Sequence, residues 1–326
     1  MIISRTPLRI SFFGGGSDYK EWLNHSNGEV LSTTIDKYVY ISIRNLPKFF
    51  KHNFRLSYSK IEDVDKINKI NHHAIKGILN YYKQKKGLEI HYDGDLPAKS
   101  GMGSSSAFVV GFIKSLYKFN NKKNLSKIEL AKKSIFIEQS VLKENVGIQD
   151  QIACAHGGFK NIKFNKKNIK ILDLGLRQKY LNQLNSNLFL VYSKIQRRAH
   201  DIASSFTRNI RKPEKNISLI LEQVKIAKSL LKKGNIDDFG KLLGENWELK
   251  KKLSSKISND YIDGLYENAI NNGAYGGKIL GAGGGGFFLF YVPKKNHEKF
   301  KRKFLQNKIS IDFNFENEGS KIIYKT

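Results

Sequence analysis

The chain has 326 residues, and its 40% hydrophobic and 12% aromatic content excludes a disordered protein and favours two domains of roughly 150 residues each. Apolar runs no longer than FFLFYV exclude a membrane span, the single cysteine excludes an intrachain disulfide, and the early charge and proline of MIISRTPLRISFF argue against a secretory leader, so we expect a cytoplasmic protein. The net charge of +28 leaves two interpretations open: a nucleic-acid-binding surface, or lysines spread over solvated helix faces.

The first half of the chain alternates between strand and helix patterns. Apolar and alternating segments predict strands in LRISFF, EVLSTTI, YVYISIRNL and LEIHYD. Helical spacing of apolar residues predicts one helix over residues 74–86 and another that follows Ser104. Ser126 and Glu129 have the spacing of a capping box and predict a third helix that runs to about Glu144.

The polar stretch RQKYLNQLNSN indicates a join near residue 180. Beyond it we predict a strand over residues 188–192, several helices of which 216–233 is the clearest, a glycine-rich segment, one more helix and terminal strands. The pattern therefore predicts two α+β domains, at residues 1–180 and 181–326.

The segment LPAKSGMGSSSAF places two glycines and four serines directly before an apolar helical pattern. Glycine allows a ligand to approach the main chain closely, and a helix that begins at the serines points free N–H groups at that ligand. The serine hydroxyls add donors and a possible ligand for Mg²⁺. These features indicate a site for an oligophosphate; the alternative is a plain glycine turn followed by a serine N-cap.

A first glycine cluster, FFGGGSDY, ends a strand and delivers Asp18, whose carboxylate is suited to accept hydrogen bonds from sugar hydroxyls. The alternative is that Asp18 caps the helix that follows it. Arg5 and Arg9 lie in the same strand, and the alternation of side chains does not decide which of them points into a site.

Glu138 falls at the centre of the apolar face of the third helix on a helical wheel. A carboxylate among apolar side chains is costly unless a cation or a donor meets it, and Mg²⁺ prefers oxygen ligands. Glu138 is therefore a candidate metal ligand, and a buried salt bridge with a lysine is the alternative.

Asp150 lies in a short, turn-like segment just beyond that helix. A carboxylate beside a phosphoryl-transfer site accepts a proton from the attacking hydroxyl, although an aspartate in a loop is usually just solvated. A third glycine cluster, YGGKILGAGGGGFFLFYV, matches the dinucleotide pattern GxGxxG but opens a strand rather than a helix, so we reject that match and predict a loop that closes over a site formed by both domains.

Three segments resemble, in order, the three motifs of the GHMP kinase family: TPLRISFFGGGSDY, LPAKSGMGSSSA and KILGAGGGGFF. Glu138 in its helix and Asp150 in GIQDQ resemble the family's spaced pair of acids. The resemblance spans nearly the whole chain. It implies an ATP-dependent and Mg²⁺-dependent kinase of small molecules, with a ribosomal-protein-S5-like N-terminal domain and a ferredoxin-like C-terminal domain.

The family pattern also implies roles for residues of this chain. Asp150 is expected to be the base with Arg9 as the cation beside it, and Ser105 and Glu138 are the expected magnesium ligands. The expected ATP-binding residues are Lys99, Gly101, Met102, Gly103, Ser104, Ser105 and Ser106. The expected substrate-binding residues are Gly14, Gly15, Gly16, Ser17, Asp18, Arg197, Gly283 and Gly284.

The chain departs from sugar kinases similar to galactokinase at Gly15 and Gly16, where those enzymes carry an acidic residue and a histidine. The lost side chains leave room for a longer sugar with its own phosphate, for which Arg197, Arg198 or Lys99 would supply cations. The GGGSDY form most resembles kinases of D-glycero-D-manno-heptose 7-phosphate, which implies phosphorylation of the anomeric hydroxyl. Two alternatives stay open: a kinase for fucose, mannose or an amino sugar, and a non-catalytic relative that binds nucleic acid. On the first interpretation we expect a sugar phosphate as partner, no nucleic acid and no membrane.

Overall fold

The computed structural model describes residues 1–166, 168–196, 199–207 and 214–326, in which strands and helices alternate. The helices are α1 (Lys20–Leu23), α2 (His73–Tyr81), α3 (Ser104–Phe119), α4 (Lys127–Phe136), α5 (Gln149–His156), α6 (Gln178–Ser186), α7 (Ala199–Thr207), α8 (Glu214–Lys233), α9 (Ile236–Lys251), α10 (Asp260–Asn271) and α11 (His297–Phe300). The strands are β1 (Ile2–Phe13), β2 (Gly28–Asn45), β3 (Phe54–Ser57), β4 (Ile61–Val64), β5 (Leu88–Gly94), β6 (Lys160–Phe164), β7 (Ile169–Asp173), β8 (Leu188–Tyr192), β9 (Gly276–Ile279), β10 (Phe287–Tyr291), β11 (Ser310–Ile311), β12 (Phe315–Glu316) and β13 (Lys321–Lys325). None of the described helices combines the length and the apolar character that a membrane span requires.

Two sheets organise the described chain. The nine-stranded sheet has the order β13-β1-β2-β5-β3-β4, with β12 and β6 also paired to β2 and β7 paired to β6. The four-stranded sheet has the order β11-β8-β10-β9. The pairing of β3 with β5 is parallel, whereas β1 pairs antiparallel with both β2 and β13. The sheets therefore follow the predicted α+β class.

The last two strands of the chain pair with strands near its beginning. Strand β13 pairs with β1, and β12 pairs with β2, so residues 315–325 complete the first sheet rather than the second. The physical reason is that β1 would otherwise be an open edge, with unpaired backbone groups exposed along Ile2–Arg5. The short and half-polar segments of these strands do not reveal their partner in the sequence.

Helix α3 lies against β1 and β2 and is buried on almost every side, as expected for a helix with apolar residues all round. At Gly111 the helix approaches β1 so closely that a Cβ would lie 2.7 Å from the Thr6 hydroxyl oxygen. This packing holds the N-terminus of α3, at Ser104, at a defined place beside β1.

The helix predicted over residues 74–86 ends earlier, at Tyr81. Lys83 adopts a left-handed φ of 50°, and the Gln84 amide donates to the Leu79 carbonyl over 3.0 Å, which closes the helix. The predicted capping box at Ser126 and Glu129 is confirmed. Helix α4 ends at Phe136 and continues as one π-helical turn, Ile137–Val141.

Candidate active site

A cavity of about 680 Å³ is lined by residues from both halves of the chain, a size typical of small-molecule sites. Most residues singled out in the sequence analysis line it. These are Arg9, Gly15, Gly16, Asp18, Lys99, Gly101, Gly103, Ser104, Ser105, Ser106 and Asp150. One cavity therefore brings together residues of FFGGGSDY, LPAKSGMGSSSAF and GIQDQ, which lie far apart in the sequence.

The loop before α3 has the backbone geometry of an anion site. Lys99, Gly101 and Gly103 all have left-handed φ values, of 60°, 83° and 75°. Gly103 is the N-cap of α3 and offers no side chain to the free N–H groups of the first helical turn, which therefore remain available to a ligand. The sequence prediction of a helix that begins at the serines is confirmed.

Two strands hold this loop in place. The Arg9 amide of β1 donates to the Met102 carbonyl over 3.1 Å, and the Phe287 amide of β10 donates to the Ser100 carbonyl over 3.0 Å. A Cβ at Gly101 would lie only 2.4 Å from the Leu280 carbonyl oxygen. The loop is thus clamped between the first and third motifs, and each contact requires a close approach of two backbones.

Arg9 and Asp150 form a two-point ion pair at the mouth of the loop. Arg9 Nε donates to Asp150 Oδ1 over 2.7 Å, and its terminal nitrogen donates to Oδ2 over 2.6 Å. The other terminal nitrogen of Arg9 donates to the Gly101 carbonyl over 2.7 Å. Burial is the largest influence on the pKa of Arg9 and lowers it. The charge of Asp150 and its hydrogen bonds act in the opposite direction, and together the effects raise the pKa of Arg9 above its usual value. Arg9, and not Arg5, is the arginine of β1 that reaches the site; Arg5 lies beside Glu316 and Glu318.

Asp150 lies in the first turn of α5, not in the turn-like loop that the sequence suggested. Its side chain is 22% exposed, whereas that of Arg9 is 4% exposed. The carboxylate is therefore fixed by a buried cation on one side and open to the cavity on the other, which is the arrangement a general base requires.

Glu138 is buried in the π-helical turn and is 1% exposed. It accepts hydrogen bonds from Ser106 Oγ at 2.9 and 3.2 Å, from Ser105 Oγ at 3.5 Å and from the Gln151 amide. Burial raises the pKa of Glu138 to about 7. Hydroxyl and amide groups are therefore its hydrogen-bond donors, and no lysine of the described residues pairs with it.

Asp18 serves a different helix from the one that sequence proximity suggests. Tyr19 is the N-cap of α1 and makes no side-chain bond there. The Asp18 carboxylate instead accepts hydrogen bonds from two backbone amides. One is that of Gly16, over 3.1 Å, and the other is that of Gln149, at the start of α5, over 3.3 Å. Burial, and then the nearby Asp150, raise the pKa of Asp18 to about 6. The Asp18 carboxylate, which holds the start of α5, therefore lines the same cavity as Asp150.

Several cavity residues were not found by sequence reasoning. Ser11 Oγ donates to Gln149 Oε1 over 2.7 Å, and both side chains line the cavity. Lys278 and Asn246 line it from the second half of the chain. Lys278 stands in the quoted third motif, which was the available signal, whereas Asn246 lies in an ordinary helical pattern.

Other expected site residues shape the cavity without lining it. Met102 is fully buried, and Ser17 is buried with its hydroxyl donating to the Gly14 carbonyl over 2.7 Å. The Gly284 amide donates to the Ile257 carbonyl over 2.7 Å, and a Cβ at Gly283 would lie 2.8 Å from Ile257. The structure thus places Gly14, Ser17, Met102, Gly283 and Gly284 in the supporting turns and not on the cavity surface. Arg197 and Arg198 lie outside the described residues.

Two sequence profiles match the chain. The one described as GHMP kinases N terminal domain matches residues 68–158, and the one described as GHMP kinases C terminal matches residues 227–310. The chain belongs to the GHMP kinase family. Its two-domain kinase fold of mixed helices and sheets, predicted from the three motifs, is confirmed.

Named relatives of this GHMP kinase include several sugar kinases. A D-glycero-alpha-D-manno-heptose 7-phosphate kinase of Campylobacter jejuni is 32% identical, over 98% of each chain. A galactokinase of Pyrococcus furiosus is 26% identical over 90% of this chain and 89% of its own. A solved structure described as a D-glycero-D-manno-heptose 1-phosphate kinase of Bacteroides thetaiotaomicron superposes with a TM-score of 0.80 at 24% identity, with all of both chains covered. At that identity the superposition supports the fold alone.

Proposed function

We propose that this chain is an ATP-dependent and Mg²⁺-dependent sugar kinase that phosphorylates the anomeric hydroxyl of D-glycero-D-manno-heptose 7-phosphate. The observation that carries the proposal is the two-point pair of Arg9 and Asp150 at the mouth of the glycine loop before α3. It places a carboxylate, a cation and free helix N–H groups on one cavity, and phosphoryl transfer needs all three.

In this proposal, the backbone of residues 99–106 holds the ATP phosphates at the N-terminus of α3. The Asp150 carboxylate accepts the proton of the attacking sugar hydroxyl on its side that is open to the cavity. Arg9 fixes the orientation of Asp150 through two hydrogen bonds, and its positive charge also offsets charge on the transferred group. Asp18 holds sugar hydroxyls on the same side.

Glu138 and Ser105 fit a magnesium site. In the described residues no group of three or more His, Cys, Asp or Glu side chains is positioned to hold a metal, so an ion here would need phosphate oxygens and water as further ligands. The carboxylate of Glu138 is buried with hydroxyl and amide donors, and no cation in the described part of the chain pairs with it. The Ser105 hydroxyl oxygen lies 3.5 Å from its Oε1. When bound, Mg²⁺ would neutralise charge on the ATP phosphates.

Glu138→Gln is expected to raise the Mg²⁺ concentration for half-maximal activity about tenfold, because a neutral amide is a poorer ligand than a carboxylate. The substitution buries no charge, so we expect the melting temperature to stay within a few degrees of the original. Initial rates at saturating ATP and varied free Mg²⁺ measure the first effect, and thermal denaturation measures the second.

Glu144→Gln is the matched control, because Glu144 lines the cavity and its side chain is 38% exposed, whereas Glu138 is buried. We expect its magnesium titration to match that of the original protein. A shift in the control together with an unchanged titration for Glu138→Gln would move the metal site to Glu144.

The choice of sugar is supported by the space beside β1. A Cβ built at Gly15 would have its nearest neighbour, the side-chain nitrogen of Gln149, at 3.8 Å. This part of the cavity is therefore open because position 15 has no side chain. Lys99, Lys143, Lys250 and Lys278 line the same cavity and provide cations for a phosphorylated ligand. The 32% identical relative named for heptose 7-phosphate supports the same choice.

A phosphate-transfer assay tests this function. We expect D-glycero-D-manno-heptose 7-phosphate to be used with a kcat/KM at least 100-fold above that of heptose, fucose, mannose or galactose, since the unphosphorylated sugars lose charge-assisted hydrogen bonds. NMR of the product should show the new phosphate on carbon 1. Preference for an unphosphorylated hexose, or a new phosphate at another position, would overturn the assignment.

A further inference from the structure

Lys278 is a buried lysine on the wall of the cavity. It lies on β9, is 3% exposed and contributes to the cavity lining. The roles proposed above for the base, its cation, the phosphate loop and the metal ligands do not use it. A buried and charged side chain at a cavity needs a physical reason.

Lys278 is held by neutral oxygens. Its Nζ donates to the Phe12 carbonyl over 2.7 Å and to Asn246 Oδ1 over 2.7 Å. Asn246 is itself fixed, because its Nδ2 donates to Gln223 Oε1 over 2.8 Å. An ammonium group has three N–H donors, so these two bonds leave one donor for a ligand.

No carboxylate of the described residues pairs with Lys278, in contrast to Arg9 with its partner Asp150. Burial lowers the pKa of Lys278 to about 7, and the positive charge of Arg9 acts in the same direction. A buried cation without a counter-ion is unfavourable, and an anionic ligand would remove that cost.

The charged lining residues before position 200 have both signs. They are the acids Asp18, Glu144 and Asp150 and the cations Arg9, Lys99 and Lys143. Among the described lining residues beyond position 200 there is no acid, and there are two lysines, Lys250 and Lys278. Lys250 donates to the Ile279 and Gly281 carbonyls, just beyond Lys278 in the chain, so both cations lie along one segment of the wall. This side of the cavity is complementary to an anion.

We propose that Lys278, positioned by Asn246, binds the phosphate that the sugar substrate already carries and so selects phosphorylated over unphosphorylated sugars. The inference rests on the proposed sugar-phosphate kinase. The same ammonium would also suit the phosphoryl group in transfer, and a comparison of sugars with and without a phosphate separates these two roles.

The test is Lys278→Met, which keeps nearly the length of the side chain and removes its charge. We expect kcat/KM for heptose 7-phosphate to fall about 30-fold and kcat/KM for unphosphorylated heptose to change less than threefold. Lys225→Met, on the exposed face of α8, is the matched control and should leave both values unchanged.

Asn246→Asp is a second variant of nearly the same shape that keeps the lysine. The new carboxylate would pair with Lys278 and compete with the substrate phosphate, so the preference for the phosphorylated sugar should again fall about 30-fold, with KM and not kcat carrying the change. The Gln223 amide can turn its NH₂ group toward the carboxylate.

The outcomes are distinguishable. Equal losses on both sugars would place Lys278 at the transferred phosphoryl group instead, and an unchanged preference in both variants would exclude it from substrate binding; either result overturns this inference alone. A parent enzyme with no preference for phosphorylated sugars would overturn the proposed function and the phosphate subsite together.

Discussion

Asp150→Asn is expected to lower kcat about 1,000-fold while the dissociation constant for ATP changes less than threefold. The amide keeps the shape of the carboxylate but cannot accept the proton of the attacking hydroxyl, and general-base catalysis contributes roughly 100- to 10,000-fold. The ATP phosphates are expected on the backbone of the loop before α3, which Asp150 does not form. Steady-state rates with the sugar phosphate and calorimetric titration with a non-hydrolysable ATP analogue measure the two quantities.

Stability has to be measured alongside, because the Asp150→Asn substitution would leave the buried Arg9 without its counter-ion. Removing one partner of a buried pair costs about 3–5 kcal/mol, and the 22% exposure of Asp150 places the expected loss at the lower end. Asp173→Asn is the matched control, since the same chemical change is made at a side chain that is 77% exposed and paired with Lys160. Activity within tenfold of the original at a temperature where the variant is folded would exclude Asp150 as the base.

Local signals in the sequence were sufficient to predict the geometry of the glycine loop before α3. Glycines before a serine-rich helix start specify both the left-handed turns and the free N–H groups, and these depend on residues within a few positions of each other. The same holds for the capping box at Ser126 and for the inward orientation of Glu138, which follow from helix periodicity.

Interactions between distant parts of the chain could not be predicted in this way. Asp18 precedes α1 in the sequence, yet it anchors α5 at Gln149, 131 residues away. The partners of Lys278 on β1 and α9 likewise depend on how the two halves of the chain pack together. The sequence indicates that such polar groups are available, but only the fold decides which of them meet.

Glu138 illustrates the limit of a regular helical wheel. The wheel assumes about 100° per residue throughout, whereas the structure widens to a π-helical turn at Ile137–Val141. The prediction that Glu138 faces inward is still correct because the turn begins only one residue before it. The identity of the groups that it meets, Gln151 above all, required the structure.

Gly101→Ala is expected to lower kcat/KM for ATP about 100-fold. At a φ of 83° an alanine is strained by about 1–2 kcal/mol, and its Cβ would lie 2.4 Å from the Leu280 carbonyl oxygen. The loop and the third motif must therefore move apart, and a displacement of about 1 Å at a positioned reactant costs roughly that factor. Initial rates at varied ATP and saturating sugar phosphate measure the effect.

Gly264→Ala provides the control, because Gly264 lies in α10 and a Cβ there would have no neighbour within 4 Å. Alanine is favoured over glycine in a helix interior by up to about 1 kcal/mol, so this variant should keep its activity and melt slightly higher. A comparison of the two variants separates the general effect of an added methyl group on kcat/KM from its effect at Gly101, where the second and third motifs touch. If Gly101→Ala kept the original kcat/KM for ATP, the close approach of Gly101 to Leu280 would not be what positions the nucleotide.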